Sequence, residues 1–289
     1  MLENLFRLDG TPELLKAGEM PPMSPGNVVE NVVFPKGDWI PPVRALKNVT
    51  FRNVAFSRTK ISRVTFTDCW FHDCLFNGTE MDEVEFHGGG MKDCTTWKLT
   101  LNRVYLRPER VSFSRRYRTE AANVGISLYH SMLANYAEER QDEFFREADI
   151  RFRRWLRYQI WHDLRRKKKG PVEASTAWVS SILHEVLTGF GYRPLRFFLW
   201  TLALFVVITM ANHFLIGDQI AVVRAAGETG GPTSFVDTLF YTFSVLTVLG
   251  FSTVTPVSDT AKMLTVLEAL AAIGWLGIFT AVLVKRFMR

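Results

Sequence analysis

The chain has 289 residues, 47% of them hydrophobic, and a formal net charge of +6. That length holds two or three modest cores, and a mean hydropathy near zero conceals an asymmetry, because the apolar mass lies at the C-terminal end. Three cysteines, an odd number, fit a reducing compartment better than a disulfide framework, and the opening residues, with an acid at Glu3 and no long apolar stretch, do not read as a cleaved secretory signal.

Residues 1–43 form an N-terminal segment ahead of the first clear pattern. From there, steps of five give Leu46, Phe51, Phe56, Ile61, Phe66, Phe71, Phe76, Met81 and Phe86, then Met91, Thr96, Leu101 and Leu106. Only Thr96 breaks the apolar series. A second ladder, three residues after each of these, holds small or β-branched residues such as Val49, Val54, Val64, Cys69, Cys74, Val84, Gly89, Cys94 and Val104, with Leu99 a bulky exception. Neither a helical nor a strand period accounts for this. The pattern resembles the pentapeptide-repeat family, which implies a right-handed, quadrilateral β-helix over residues 44–110, with about four repeats per coil and large residues stacked along an inner ladder.

That register turns Cys69, Cys74 and Cys94 inward and His72 and His87 outward, so the two ligand types do not share a side and no metal site is expected. The thiols read as small buried hydrophobes. Outward positions mix Arg52, Arg58, Arg63, Asp68, Asp73, Glu83 and Asp93. A mixed-sign rod of this kind lacks the acidic face with which some members of that family mimic DNA. By itself it implies a scaffold, with an unidentified protein or ligand as its partner.

Residues 111–170 turn helical, as a pair that breaks near 138–141 and ends in the basic block 165–169, RRKKK. No stacking platform or base-reading motif accompanies the many arginines, so nucleic acid is not an expected partner. Residues 171–193 then place Trp178, Ile182, Leu183, Val186 and Leu187 on one helical side. After a basic block this reads as an amphipathic helix in the lipid headgroup layer, with packing against the preceding domain as the alternative.

The region 194–289 reads as an α-helical membrane pore domain. Residues 195–216 and 263–284 are apolar stretches of 22 residues, each about 33 Å as a helix against a hydrocarbon core of about 30 Å. Basic clusters before the first and after the second put both termini in the cytoplasm. Between them, residues 235–249 are apolar but too short to cross, so they enter and return. Irregular backbone at membrane depth is tolerated only where protein covers it or water lines it. Spans, re-entrant helix and the stretch TVLGFSTVTP together resemble the pore module of two-transmembrane-helix potassium channels. The resemblance implies a filter at Thr247, Val248, Leu249, Gly250, Phe251 and Ser252, supported by Thr253, Pro256 and Glu268. It implies inner-helix hinge candidates at Ala272, Gly274 and Gly277.

Three departures stand out. Val248 replaces a filter threonine, Ser252 replaces a glycine whose conformation is costly for a residue with a Cβ, and Thr253 replaces an aspartate. Glu268, ionisable inside a span, is a functional candidate by default and is expected to brace the pore helix. His213 is expected at the membrane interface. The expectation is a passive homotetrameric cation channel of the cell (inner) membrane, surrounded by lipid. It needs no cofactor beyond permeant K+ and, through the altered filter, Na+. The alternative is a membrane-anchored scaffold that does not conduct. No nucleophile elbow, phosphate-binding loop or paired-carboxylate site supports an enzyme.

Overall fold

The computed structural model describes residues 7–16, 19, 21, 23–39, 41, 43–216, 220–222, 234–247 and 254–287. It divides into two units, Met1–Ser181 and Ile182–Arg289.

The first unit contains a parallel β-solenoid of about five turns. Strands of three residues pair with the strand one coil away at an offset of twenty, as in Phe66 with Phe86, Phe71 with Met91, Leu75 with Thr95 and Met81 with Leu101. The longest sheet stacks five strands and a second stacks four. Every apolar residue of the step-of-five ladder is buried. Phe51 stacks on Phe71 at 4.8 Å, Phe56 on Phe76 at 5.3 Å and Phe66 on Phe86 at 5.1 Å, all near parallel. Each such ring contributes about 1.5–3 kcal/mol from burial alone, with about 0.5–1.5 kcal/mol more from the pairing geometry.

The corners of the coil are a feature of the backbone. Asn48, Asn53, Arg58, Arg63, Asp68, Asp73, Glu83, Asp93, Lys98 and Arg103 all have φ between 51° and 58°, and Gly78 and Gly88 occupy the intervening corners. Left-handed backbone costs a non-glycine residue about 1–2 kcal/mol. The geometry returns part of this cost by aiming each corner amide at the next coil: Asn53 N donates to His72 O, Arg58 N to Asn77 O and Arg63 N to Asp82 O, all at 2.9 Å.

The solenoid extends beyond both ends of the repeat as read from sequence. Strand Val28–Glu30 pairs with Thr50–Arg52 and strand Gly37–Trp39 with the start of Thr59–Ser62, at an offset of 22 rather than twenty. Val29, Phe34 and Trp39 are buried in the same ladder. They keep the step of five among themselves, and two extra residues before Leu46 break the frame. At the other end, Val111–Ser112 pairs with Gly90–Lys92.

Cys69, Cys74 and Cys94 point inward and donate to the carbonyls of Leu46, Phe51 and Phe71 at 3.4–3.5 Å. Burial pushes the Cys94 thiol well above its usual range, with the neighbouring Cys74 adding to it.

Three helices follow: α1, Arg115–Glu120; α2, Ala122–Glu138; and α3, Asp142–Arg165. The break between α2 and α3 falls where the sequence placed it. The buried stripe of α2, including Val124, Leu128, Met132 and Tyr136, covers the last coil. A terminal coil has no further strand to take its polar groups, and α2 supplies side chains instead. Asn135 accepts from Val104 N at 2.9 Å and donates to Val104 O at 2.8 Å. Ser131 donates to Leu99 O at 2.7 Å, and Tyr136 donates to Leu106 O. Gly125 lets α2 approach Trp155 of α3, whose ring would lie 2.3 Å from a Cβ there.

Helix α4 spans Pro171–Thr188, and the division between the units falls within it. Trp178 meets Trp161 of α3 edge-on at 6.1 Å, so at least this residue of the amphipathic side packs on protein within the first unit.

Candidate pore site

The second unit is built on α5, Pro194–Ile216, α6, Phe235–Leu246, and α7, Asp259–Phe287, with a two-stranded antiparallel pairing of Ile220–Val222 and Val254–Pro256. Helices α5 and α7 have 23 and 29 residues, about 34 and 43 Å at 1.5 Å per residue. Each exceeds a bilayer core of about 30 Å. Within the chain they bury little: Leu199, Leu202, Val206 and Met210 of α5, and Leu267, Leu270, Ile273 and Leu276 of α7, are all exposed. Such surfaces require lipid or further protein around them. The second span begins four residues earlier than its apolar composition indicates, at Asp259.

Helix α6 has 12 residues, about 18 Å, and cannot cross. It ends three residues before the apolar run does. Its first turn is closed by a capping box, in which Ser234 Oγ accepts from Asp237 N at 3.2 Å and Asp237 Oδ2 accepts from Ser234 N at 3.1 Å.

One face of α6, holding Thr238, Tyr241, Thr242 and Ser244, is buried. Polar groups of both long helices meet it. Asn212 of α5, fully buried, donates through Nδ2 to Thr242 Oγ1 at 3.0 Å and to Glu268 Oε2 of α7 at 3.2 Å. His213 Nδ1 lies 3.3 Å from Thr238 Oγ1, and its ring meets Phe235 edge-on. Tyr241 bonds Thr265 of α7 through their hydroxyls. Further along, Trp275 donates to Thr201 Oγ1 at 2.9 Å and Phe197 stacks on Trp275 at 4.8 Å, fastening α5 to α7. Where lipid would leave polar groups unsatisfied, these three helices pair most of them, although Asn212 Oδ1 has no partner among the described residues.

The sequence candidates fall unevenly on this frame. Thr247 caps α6, its hydroxyl donating to Phe243 O at 2.7 Å. Val248, Leu249, Gly250, Phe251, Ser252 and Thr253 lie outside the described residues. Pro256 ends its strand, opposite Ile220. Glu268 meets Asn212, and through it Thr242. Ala272 is buried, while Gly274 and Gly277 have open space where a Cβ would stand. Sequence reading passed over Asn212, Thr242, Thr238 and Thr265. It assigned His213 to the interface without seeing that the ring sits against the first turns of α6. The usable signal was polar residues inside apolar segments, adjacent at 212 and 213 and four apart at 238 and 242.

Residues 195–289 match the family model for ion channels. This region is an ion-channel domain. The match covers about one third of the chain and leaves the solenoid and helices α1 to α4 outside it. Comparison of the chain with curated proteins finds no match. The ion-channel domain, with two apolar helices long enough to cross a bilayer, makes this a membrane protein.

Proposed function

We propose that the chain is one subunit of a homotetrameric, potassium-channel-like cation channel of the cell membrane, with both termini cytoplasmic and residues 247–252 lining the ion path. The observation that carries this reading is the suspension of α6. A helix too short to cross is held between two long apolar helices by Asn212, Thr242 and Glu268, within a region that matches ion channels. Its C-terminal turn ends immediately before the filter stretch. The carbonyls there carry about half a negative charge, which favours a cation. Glu268 acts as a positioning residue, holding α6 through Asn212 rather than touching the ion. Closure calls for several copies, since one chain offers a single filter segment and an unclosed ring would leave polar backbone facing lipid; the likeness to potassium-channel pores sets the number at four.

Val248 removes one hydroxyl ring and Ser252 places a Cβ where glycine is favoured, so conduction persists with weak discrimination between K+ and Na+. The test is purified protein in planar bilayers with potassium on one side and sodium on the other. The expected reversal potential lies near zero, and Val248→Thr with Ser252→Gly moves it toward the potassium value. Silent bilayers together with no flux into liposomes would make the protein a membrane-anchored scaffold instead. A wild-type pore already strongly selective for potassium would refute the account of the filter.

A further inference from the structure

A second site lies in the first unit, between α1 and the C-terminal half of α3. Arg115 and Arg118 from α1, with Arg165, Tyr158 and His162 from α3, line an open cleft of about 340 Å³, and Trp161 forms part of its wall. We propose that this cleft binds a phosphate ester carried on a small organic body.

The chemistry of the lining supports this choice. Three arginines line one cavity, and none of its lining residues is acidic. The carboxylates nearest in sequence are engaged elsewhere: Glu120 pairs with Arg116 at 3.3 Å, and Asp163 accepts from Gln159 at 2.9 Å. Among the described residues, Arg115, Arg118 and Arg165 form no ion pair. Like charges gathered without a counter-charge repel, and a dianion with oxygens for planar, forked donors relieves that repulsion more completely than chloride can. Arg118 lies over the Tyr158 ring, its Cζ 5.7 Å from the centroid, which orients the guanidinium while leaving its N–H groups free to donate. The buried Nε2 of His162 has no partner among the described residues, and a buried ring nitrogen without one is costly.

Size distinguishes an ester from the bare anion. The cavity falls at the lower end of the range for organic ligands and exceeds what inorganic phosphate fills. Trp161, 48% exposed, offers a flat apolar wall for the organic part. Two sources share this chemistry, a soluble phosphate ester and the headgroup of an anionic phospholipid. Arg165 begins the basic block, and either source suits it.

The test uses the full chain in nanodiscs of phosphatidylcholine. Calorimetric titration with adenosine monophosphate probes the soluble source. Nanodiscs containing phosphatidic acid, assayed by quenching of tryptophan fluorescence with a brominated headgroup analogue, probe the lipid source. Saturable binding in either arm supports the site and identifies its source. Arg118→Gln with Arg165→Gln weakens that binding at least tenfold, whereas Lys47→Gln with Lys98→Gln, an equal charge loss on the solenoid, leaves it within twofold. Absence of saturable binding in both arms overturns the proposal. So does equal weakening by the two double variants, which would reduce the effect to net charge. Channel activity is not the readout, so failure here and failure of the pore reading remain distinct.

Discussion

Replacing Asn212 by leucine tests the suspension of the pore helix directly. The side chains are similar in volume, so the substitution removes two hydrogen bonds, to Thr242 and to Glu268, while leaving little cavity. In water, a bond to a charged group contributes about 1.5–3 kcal/mol. In a bilayer the unfolded reference also finds partners, and measured interhelical couplings average about 0.6 kcal/mol with a maximum near 1.7 kcal/mol. The membrane figure governs here, giving about 1–2 kcal/mol per chain for the two bonds. A cycle with Glu268→Met, which removes the acceptor, isolates the pair. The single variants should each lower the thermal midpoint in detergent, and the double variant should lose less than their sum by about 0.6–1.7 kcal/mol. The same variants in liposomes should reduce ion flux if α6 carries the filter as proposed. If the two substitutions add within about 0.3 kcal/mol, or if Asn212→Leu leaves stability and flux unchanged, the bracing role is refuted.

Asn135→Leu should leave Val104 N–H and C=O buried without partners, at about 1–3 kcal/mol for each group. Hydrogen exchange at the Val104 amide should accelerate at least tenfold, and unchanged protection would show that α2 does not cap the solenoid. Gly89→Ala should destabilise the chain more than Gly78→Ala. Both glycines have positive φ, but a Cβ at 89 would lie 1.9 Å from Cys69 O, whereas at 78 the nearest atom is 3.5 Å away on a flexible arginine. The Gly78 change should cost about 1 kcal/mol and the Gly89 change visibly more, and equal midpoints on thermal denaturation would contradict the close approach of neighbouring coils at Gly89. Burial pushes the Tyr117 phenol up to about 12 from 10.0. Since the folded value is raised, this contribution is whole below about pH 10 and is lost as pH climbs toward 12, by up to about 2–3 kcal/mol. Tyr117→Phe loses the bond to Asp93 O and should be less stable than wild type at pH 8. The gap should narrow above pH 10, and parallel alkaline unfolding curves would exclude the titration.

The solenoid was legible because a coil of twenty residues with four faces forces the same demand on every fifth side chain, from Leu46 to Leu106. The same demand at Val29, Phe34 and Trp39 went unread, since two inserted residues shift the frame and a fixed-step search stops there. Corner geometry was hidden for another reason. Arginine and glutamate carry no preference for left-handed backbone, so the conformation at Arg58 or Glu83 is imposed by the coil and not by the residue. The cap on the last coil could not be read either, because Ser131 and Asn135 bond backbone atoms about thirty residues upstream. In the channel domain, length and apolarity pointed to the two spans, and resemblance alone supplied the proposed filter. Asn212 and Thr242 looked like polar interruptions until folding brought them to 3.0 Å.

The twenty-residue offset also governs how such a domain can change in length. A duplication or deletion of one full coil returns every side chain to its own face, and Phe stacks on Phe as before. A gain of one or two residues inside a strand rotates all that follows, exposing the aromatic ladder and burying the charged one. The 22-residue offset between Val29 and Phe51 locates where a smaller insertion has been absorbed, in the stretch before Leu46, ahead of the uninterrupted ladder. Growth of the domain is therefore quantised, with the coil as its unit and the N-terminal turn as the place where irregular remainders accumulate.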